Sequence, residues 1–96
     1  MKTQSIEEYL LSEFGFDQYQ VFDRADNNRK EIMNSDICGC FMCHTNFKPS
    51  EILHWTDSEQ TACCPNCGMG NVVVGSASGM PVSNKNFLKL VGTHWV

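Results

Sequence analysis

The sequence predicts a small α+β fold: a zinc-ribbon-like β-hairpin module with flanking short helices and an N-terminal helix. Three observations carry that expectation. Cys40-Phe41-Met42-Cys43 and Cys64-Pro65-Asn66-Cys67 are two C-x-x-C pairs, a spacing at which the chain reverses so that backbone amides face the sulfurs, and two facing turns close a tetrahedral zinc site. Asn71-Val72-Val73-Val74-Gly75 leaves the second pair with strong β propensity. Apolar residues at helical spacing stand on both sides of the cysteine region. A chain of 96 residues, 42% of them hydrophobic, suits one globular unit that is short enough for a metal staple to matter.

In chain order, Ser5-Ile6-Glu7-Glu8 is a capping-box pattern, and Ile6, Tyr9, Leu10 and Phe14 follow at helical spacing until Gly15, which predicts a helix over 5–14. Phe16, Tyr19, Val21 and Phe22 then form an apolar cluster that suits strand or turn. Asp23 to Asn34 is polar and rich in loop formers, with Asp26-Asn27-Asn28 as its most mobile point. The chain thus divides into an acidic N-terminal helical arm, 1–36, and a zinc-ribbon-like module with a C-terminal helix, 37–96.

Within the module, Pro49-Ser50-Glu51-Ile52-Leu53-His54-Trp55 predicts one short helix that shows Ile52 and Trp55 on one side, inside the 20 residues between Cys43 and Cys64. Gln60 to Cys63 leads into the second pair and the valine run leaves it, giving the strand, turn and strand of a ribbon hairpin. Positive φ is needed just after each pair; Gly68 supplies it readily, whereas His44 must adopt it at the matching place. Ser76 to Gly79 is a small-residue loop whose amides suit an anion or a partner's backbone, or else a tight connector before Pro81. Ser83 caps a last helix that packs Phe87, Leu88, Val91 and Trp95 on the sheet.

The expected ligands of a single Zn2+ are Cys40, Cys43, Cys64 and Cys67. Cys38 and Cys63 are left over; they are ordinary small buried residues or spare thiols, and Cys38 is the one alternative to Cys40, since a C-x-C cannot easily place both sulfurs on the metal of an adjoining C-x-x-C. With four sulfurs in place, His44, His54 and His94 are surplus. Six cysteines in the expected cytoplasmic location argue for metal before disulfides. The opening stretch carries no apolar h-region, and no apolar run approaches membrane length.

Charge bears on partners. Residues 1–36 hold eight acids and four bases and residues 37–96 three of each, so the net charge of −4 resides in the first third. Lys48, Lys85 and Lys89 are too few for a phosphate-gripping face, which disfavours nucleic acid. Enzyme chemistries fare no better. Cys40 to His44 spells a haem attachment motif that normally needs export, and Gly68 and the valine run after Cys67 predict a turn and strand where a thioredoxin-type pair needs a helix. The zinc deaminase signature is absent, and four thiolates leave no open coordination position.

The run Cys38 to Cys43, then Phe47-Lys48-Pro49-Ser50-Glu51-Ile52 with Trp55, then Thr61 to Gly68, then Ser78-Gly79-Met80-Pro81 and His94-Trp95 resembles a group of small bacterial and bacteriophage cytoplasmic proteins with a CxCxxC…CPxCG module. The resemblance covers residues 37–96 and implies a cytoplasmic location without a mechanism. In that group's pattern an apolar residue stands where this chain has Cys63. The expected function is a non-enzymatic, zinc-stabilised protein-binding module, an adaptor or an inhibitor of a host or phage complex. Glu7, Glu8 and Glu13 on the arm, with Trp55, Phe47 and Trp95 as aromatic anchors, are the expected partner contacts. The alternatives are a thiol redox or zinc-dependent enzyme using Cys38, Cys63 or the Cys64-Cys67 pair, and a nucleic-acid-binding zinc ribbon.

Overall fold

The computed structural model describes residues 13–16 and 18–93. Most of the helix expected over 5–14 lies outside them; residues 13 and 14 are helical, and Gly15 turns the chain at φ +82°.

The stretch that suited strand or turn is helix α1, Gln18–Arg24, and the polar stretch after it contains a second helix, α2, Arg29–Met33. Few apolar residues are needed to hold either. Val21 and Ala25, one turn apart, and Ile32 are fully buried, and Phe22 sets its ring 5.7 Å from that of Phe41. Asn28, in the segment that reads as mobile, is buried and spans three elements. Its Nδ2 donates to Arg24 O (3.0 Å) and Val73 O (2.7 Å), and its Oδ1 accepts from Ala62 N (3.2 Å). Residues of α1 and α2 therefore share one apolar core with the cysteine region.

Two small antiparallel sheets follow. In the first, β1 (Cys38–Cys40) is central, paired with β2 (Asn46–Phe47) through Cys38↔Phe47 and with β5 (Val73–Gly75) through Cys38↔Gly75 and Cys40↔Val73. In the second, β3 (Trp55–Thr56) pairs with β4 (Thr61–Ala62). The valine run is thus a strand as expected, yet its partner is the strand entering the first cysteine pair. Around the second pair the hairpin is reduced to the Cys63↔Gly70 bridge with backbone bonds from Asn71 N to Ala62 O at 3.3 Å and from Cys64 N to Met69 O at 2.8 Å.

The helix expected over 49–55 shrinks to a 3₁₀ turn, Pro49–Glu51, in which the Glu51 carboxylate accepts from Lys48 N at 2.7 Å. Ile52 is already extended, at ψ +120°, and His54 O accepts from Cys63 N at 3.0 Å. Cross-strand pairing claims the segment, and Trp55 opens β3. The β3–β4 turn then runs through Asp57, Ser58 and Glu59, all left-handed at φ +53°, +58° and +66°. Conformations of this kind cost on the order of 1–2 kcal/mol per residue. They are held by Thr61 Oγ1 donating to Asp57 Oδ2 (2.9 Å), by Arg29 Nη1 donating to Glu59 O (2.8 Å), and by the Arg29 guanidinium 4.5 Å over the Trp55 ring.

The C-terminal helix is α3, Lys85–Thr93. Its cap is Asn84, whose Oδ1 accepts from Asn86 N and Phe87 N at 2.9 and 3.3 Å; Ser83 stands one residue too early. Phe87, Leu88 and Val91 are fully buried, as their spacing predicts, while Trp95 lies outside the described residues. The rings of Phe14 and Phe16 meet Phe87 edge-on at 5.2 and 6.4 Å. Gly92 lets α3 approach the first cysteine turn: a Cβ there would collide with the Phe41 carbonyl.

Candidate metal centre

The two cysteine turns are local copies offset by 24 residues. Cys40 Sγ accepts from Met42 N and Cys43 N, both at 3.4 Å, and Cys64 Sγ accepts from Asn66 N and Cys67 N at the same distance. Each turn is closed by one backbone bond, His44 N to Cys40 O at 2.8 Å and Gly68 N to Cys64 O at 2.9 Å. A second follows, Cys40 N to Thr45 O and Cys64 N to Met69 O, and each copy is flanked by an antiparallel pair, Gly39↔Asn46 and Cys63↔Gly70. The residue after each pair is left-handed, His44 at φ +64° and Gly68 at φ +80°, because the reversal that aims amides at the first sulfur demands it.

These turns bring the sulfurs of Cys40, Cys43, Cys64 and Cys67 within 4.8 Å of one another. Two contacts run across the turns, Cys40 to Cys67 at 3.7 Å and Cys43 to Cys64 at 3.6 Å. Zinc–sulfur bonds of about 2.3 Å at the tetrahedral angle place sulfurs roughly 3.8 Å apart. The group therefore has the spacing of a four-thiolate metal site, far wider than a disulfide, and all six cysteines are free. Cys40 and Cys64 are buried, Cys43 is half-buried, and Cys67 is exposed.

Burial pushes the Cys40 and Cys64 thiols up, against the pull of the amides that point at them. Cys43 differs: its partial burial raises it, but hydrogen bonds involving Thr45, Asn66 and Cys64 together bring it down to about 6. Thr45 is the residue that motif spacing missed. Its Oγ1 accepts from the Cys43 thiol at 3.3 Å and from Asn66 Nδ2 at 3.2 Å, tying one turn to the other, and a threonine two positions past a C-x-x-C carries no signal of that role.

Cys38, although only two residues from Cys40, is not in the four-sulfur group; it is fully buried in β1, where burial raises its thiol to about 12. Cys63 is half-buried and packs against Gly70. His44 has its imidazole lowered by burial and by Lys89 and Lys85, and its carbonyl accepts from Lys85 Nζ. The Ser76 to Gly79 segment is a connector. Ala77 N donates to Ser35 Oγ, Gly79 N to Ser76 O, and Ser76 Oγ accepts from Asp36 N and Ile37 N, so these amides already have partners.

Of the expected partner contacts, Glu13 is exposed and Trp55 is half-buried under Arg29, while Glu7, Glu8 and Trp95 lie outside the described residues. Phe47, expected as an aromatic anchor on the surface, is not available to a partner. At 4% exposure it belongs to the core, because β2 turns it inward opposite Cys38. Among the described residues, the large apolar side chains that do face solvent are Tyr19, Met33, Leu53 and Met69. Among the described residues no helix is long and apolar enough to cross a membrane. Comparison with known proteins brings no family to this geometry: no family model, no curated protein and no solved structure matches the chain.

Proposed function

We propose that the chain is a non-enzymatic module that binds one Zn2+ through Cys40, Cys43, Cys64 and Cys67 and uses the zinc-braced scaffold to dock a protein partner. The observation that carries the metal reading is the set of four sulfurs within 4.8 Å of one another, each turn presenting two amides to its buried sulfur. Four thiolates complete the coordination of zinc, so the ion braces the fold and leaves no position for a substrate or an activated water. Docking then falls to the surface. The acidic arm offers charge complementarity, and half-buried Trp55 in β3 and Leu53, two residues before it and 77% exposed, offer apolar anchors. An adaptor or an inhibitor of a larger complex is the role that fits such a surface.

Metal analysis of the purified chain tests the first half: one zinc per chain is expected, lost in a Cys64→Ser, Cys67→Ser double variant. Retention of full zinc by that variant refutes the ligand set. For the second half, reversing Glu7, Glu8 and Glu13 to lysine should weaken partner capture and change its salt dependence with zinc content unaltered. If capture survives that change but fails in Trp55→Ala or Trp95→Ala, the interface lies on the module instead of the arm.

A further inference from the structure

The four sulfurs differ in what can reach them. Cys40 and Cys64 are shielded and each receives two amide hydrogen bonds, Cys43 is half-buried behind Thr45, and only Cys67 is exposed. Its sulfur lies 3.7 Å from that of Cys40 on the other turn, in contact distance. We propose that the metal centre is a peroxide-sensitive release switch in which Cys67 is the sulfur attacked first and Cys40 is the one that closes a disulfide on it. The proposal rests on the reading of these cysteines as zinc ligands.

The co-reactant is hydrogen peroxide. The Cys67 thiolate attacks one peroxide oxygen, the O–O bond breaks, and hydroxide leaves; sulfur loses two electrons to become a sulfenic acid, and peroxide is reduced. The Cys40 thiolate then attacks the Cys67 sulfur, the S–O bond breaks, and a second hydroxide leaves as the S–S bond forms. Solvent protons convert both hydroxides to water. Two thiolates and one peroxide have become a disulfide, and zinc, left with Cys43 and Cys64 alone, dissociates. Those two sulfurs, 3.6 Å apart, can close a second disulfide only if a second equivalent of peroxide oxidises one of them. The cross-turn pairing matters because it bonds one local copy to the other, so the oxidised chain keeps its turns together while the metal leaves. A thiol reductant with added zinc reverses the change.

The test uses the full chain loaded with zinc, its metal content measured first. Exposure to about a tenfold excess of hydrogen peroxide should release essentially all of the zinc to a metallochromic indicator, and peptide mapping by mass spectrometry should find Cys40 joined to Cys67 as the first disulfide. Cys38→Ser and Cys63→Ser should each release zinc at the same rate as the parent. The switch is refuted if loaded protein keeps its zinc under peroxide, if the first disulfide joins Cys64 to Cys67 or includes Cys38 or Cys63, or if either serine variant blocks release. A chain that purifies without zinc refutes the metal reading itself, which separates that failure from a failure of the switch.

Discussion

Replacing Gly92 with alanine separates local propensity from tertiary packing, because the two demand opposite signs. Gly92 sits inside α3, where alanine is favoured over glycine by about 1 kcal/mol. The structure opposes that gain. The new Cβ would collide with the Phe41 carbonyl, a backbone atom between Cys40 and Cys43 that cannot swing aside as a side chain would. Overpacking costs about 1–3 kcal/mol, and the upper end applies when backbone must move. The expected net is a loss of about 2 kcal/mol, and since about 1 kcal/mol shifts the melting temperature of a domain of this size by roughly 4–8 °C, the zinc-loaded variant should melt roughly 8–16 °C lower. Asn86→Ala, at an exposed site in the first turn of the same helix, serves as the control for propensity and should melt at or slightly above the parent. Thermal unfolding followed by circular dichroism is the assay. A Gly92→Ala protein as stable as Asn86→Ala would show that α3 does not press on the first cysteine turn, and the packing described for it would be wrong.

The matched positions after the two cysteine pairs should respond in opposite directions. Gly68→Ala adds a Cβ to open space at φ +80°, so its cost is pure backbone strain of about 1 kcal/mol, whereas His44→Gly relieves similar strain at φ +64°; denaturant titration reads both, and equal signs would refute the equivalence of the turns. Asn28→Ala leaves Val73 O and Ala62 N without their buried partner and should lower stability by about 2–4 kcal/mol in the same titration, while a loss under about 0.5 kcal/mol would mean the helical segment is not fastened to the sheets. Zinc loading should release protons. Burial holds Cys40 and Cys64 above the ordinary thiol range, so at neutral pH the metal displaces their protons, and affinity should rise with pH by about tenfold per unit for each proton released; calorimetry in buffers of different ionisation enthalpy counts them, and a count of zero contradicts the protonated state.

Much of the four-cysteine site is legible in sequence because its geometry is local. A C-x-x-C followed by a residue able to turn left-handed brings the amides to the sulfur within five residues, so the spacing points to Cys40, Cys43, Cys64 and Cys67 and places the positive φ on His44 and Gly68. The choice of Cys40 over Cys38 is made by the tertiary structure, which leaves Cys38 outside the four-sulfur group. The period of Phe87, Leu88 and Val91 likewise marks the buried face of α3, and the valine run marks a strand, since both depend on neighbours in the chain. What lay beyond reach depended on contacts far along the chain. Whether 49–55 coils or extends is decided by Cys63 bonding to His54; whether 18–33 is loop or helix is decided by Val21, Ala25 and Ile32 finding a core and by Asn28 finding Ala62 and Val73; and which strand accepts β5 is decided by the meeting of the two turns at the sulfurs, which lays β1 beside the valines. Short elements of this kind have marginal intrinsic preference, so burial and hydrogen-bond partners supplied by the rest of the fold outweigh propensity.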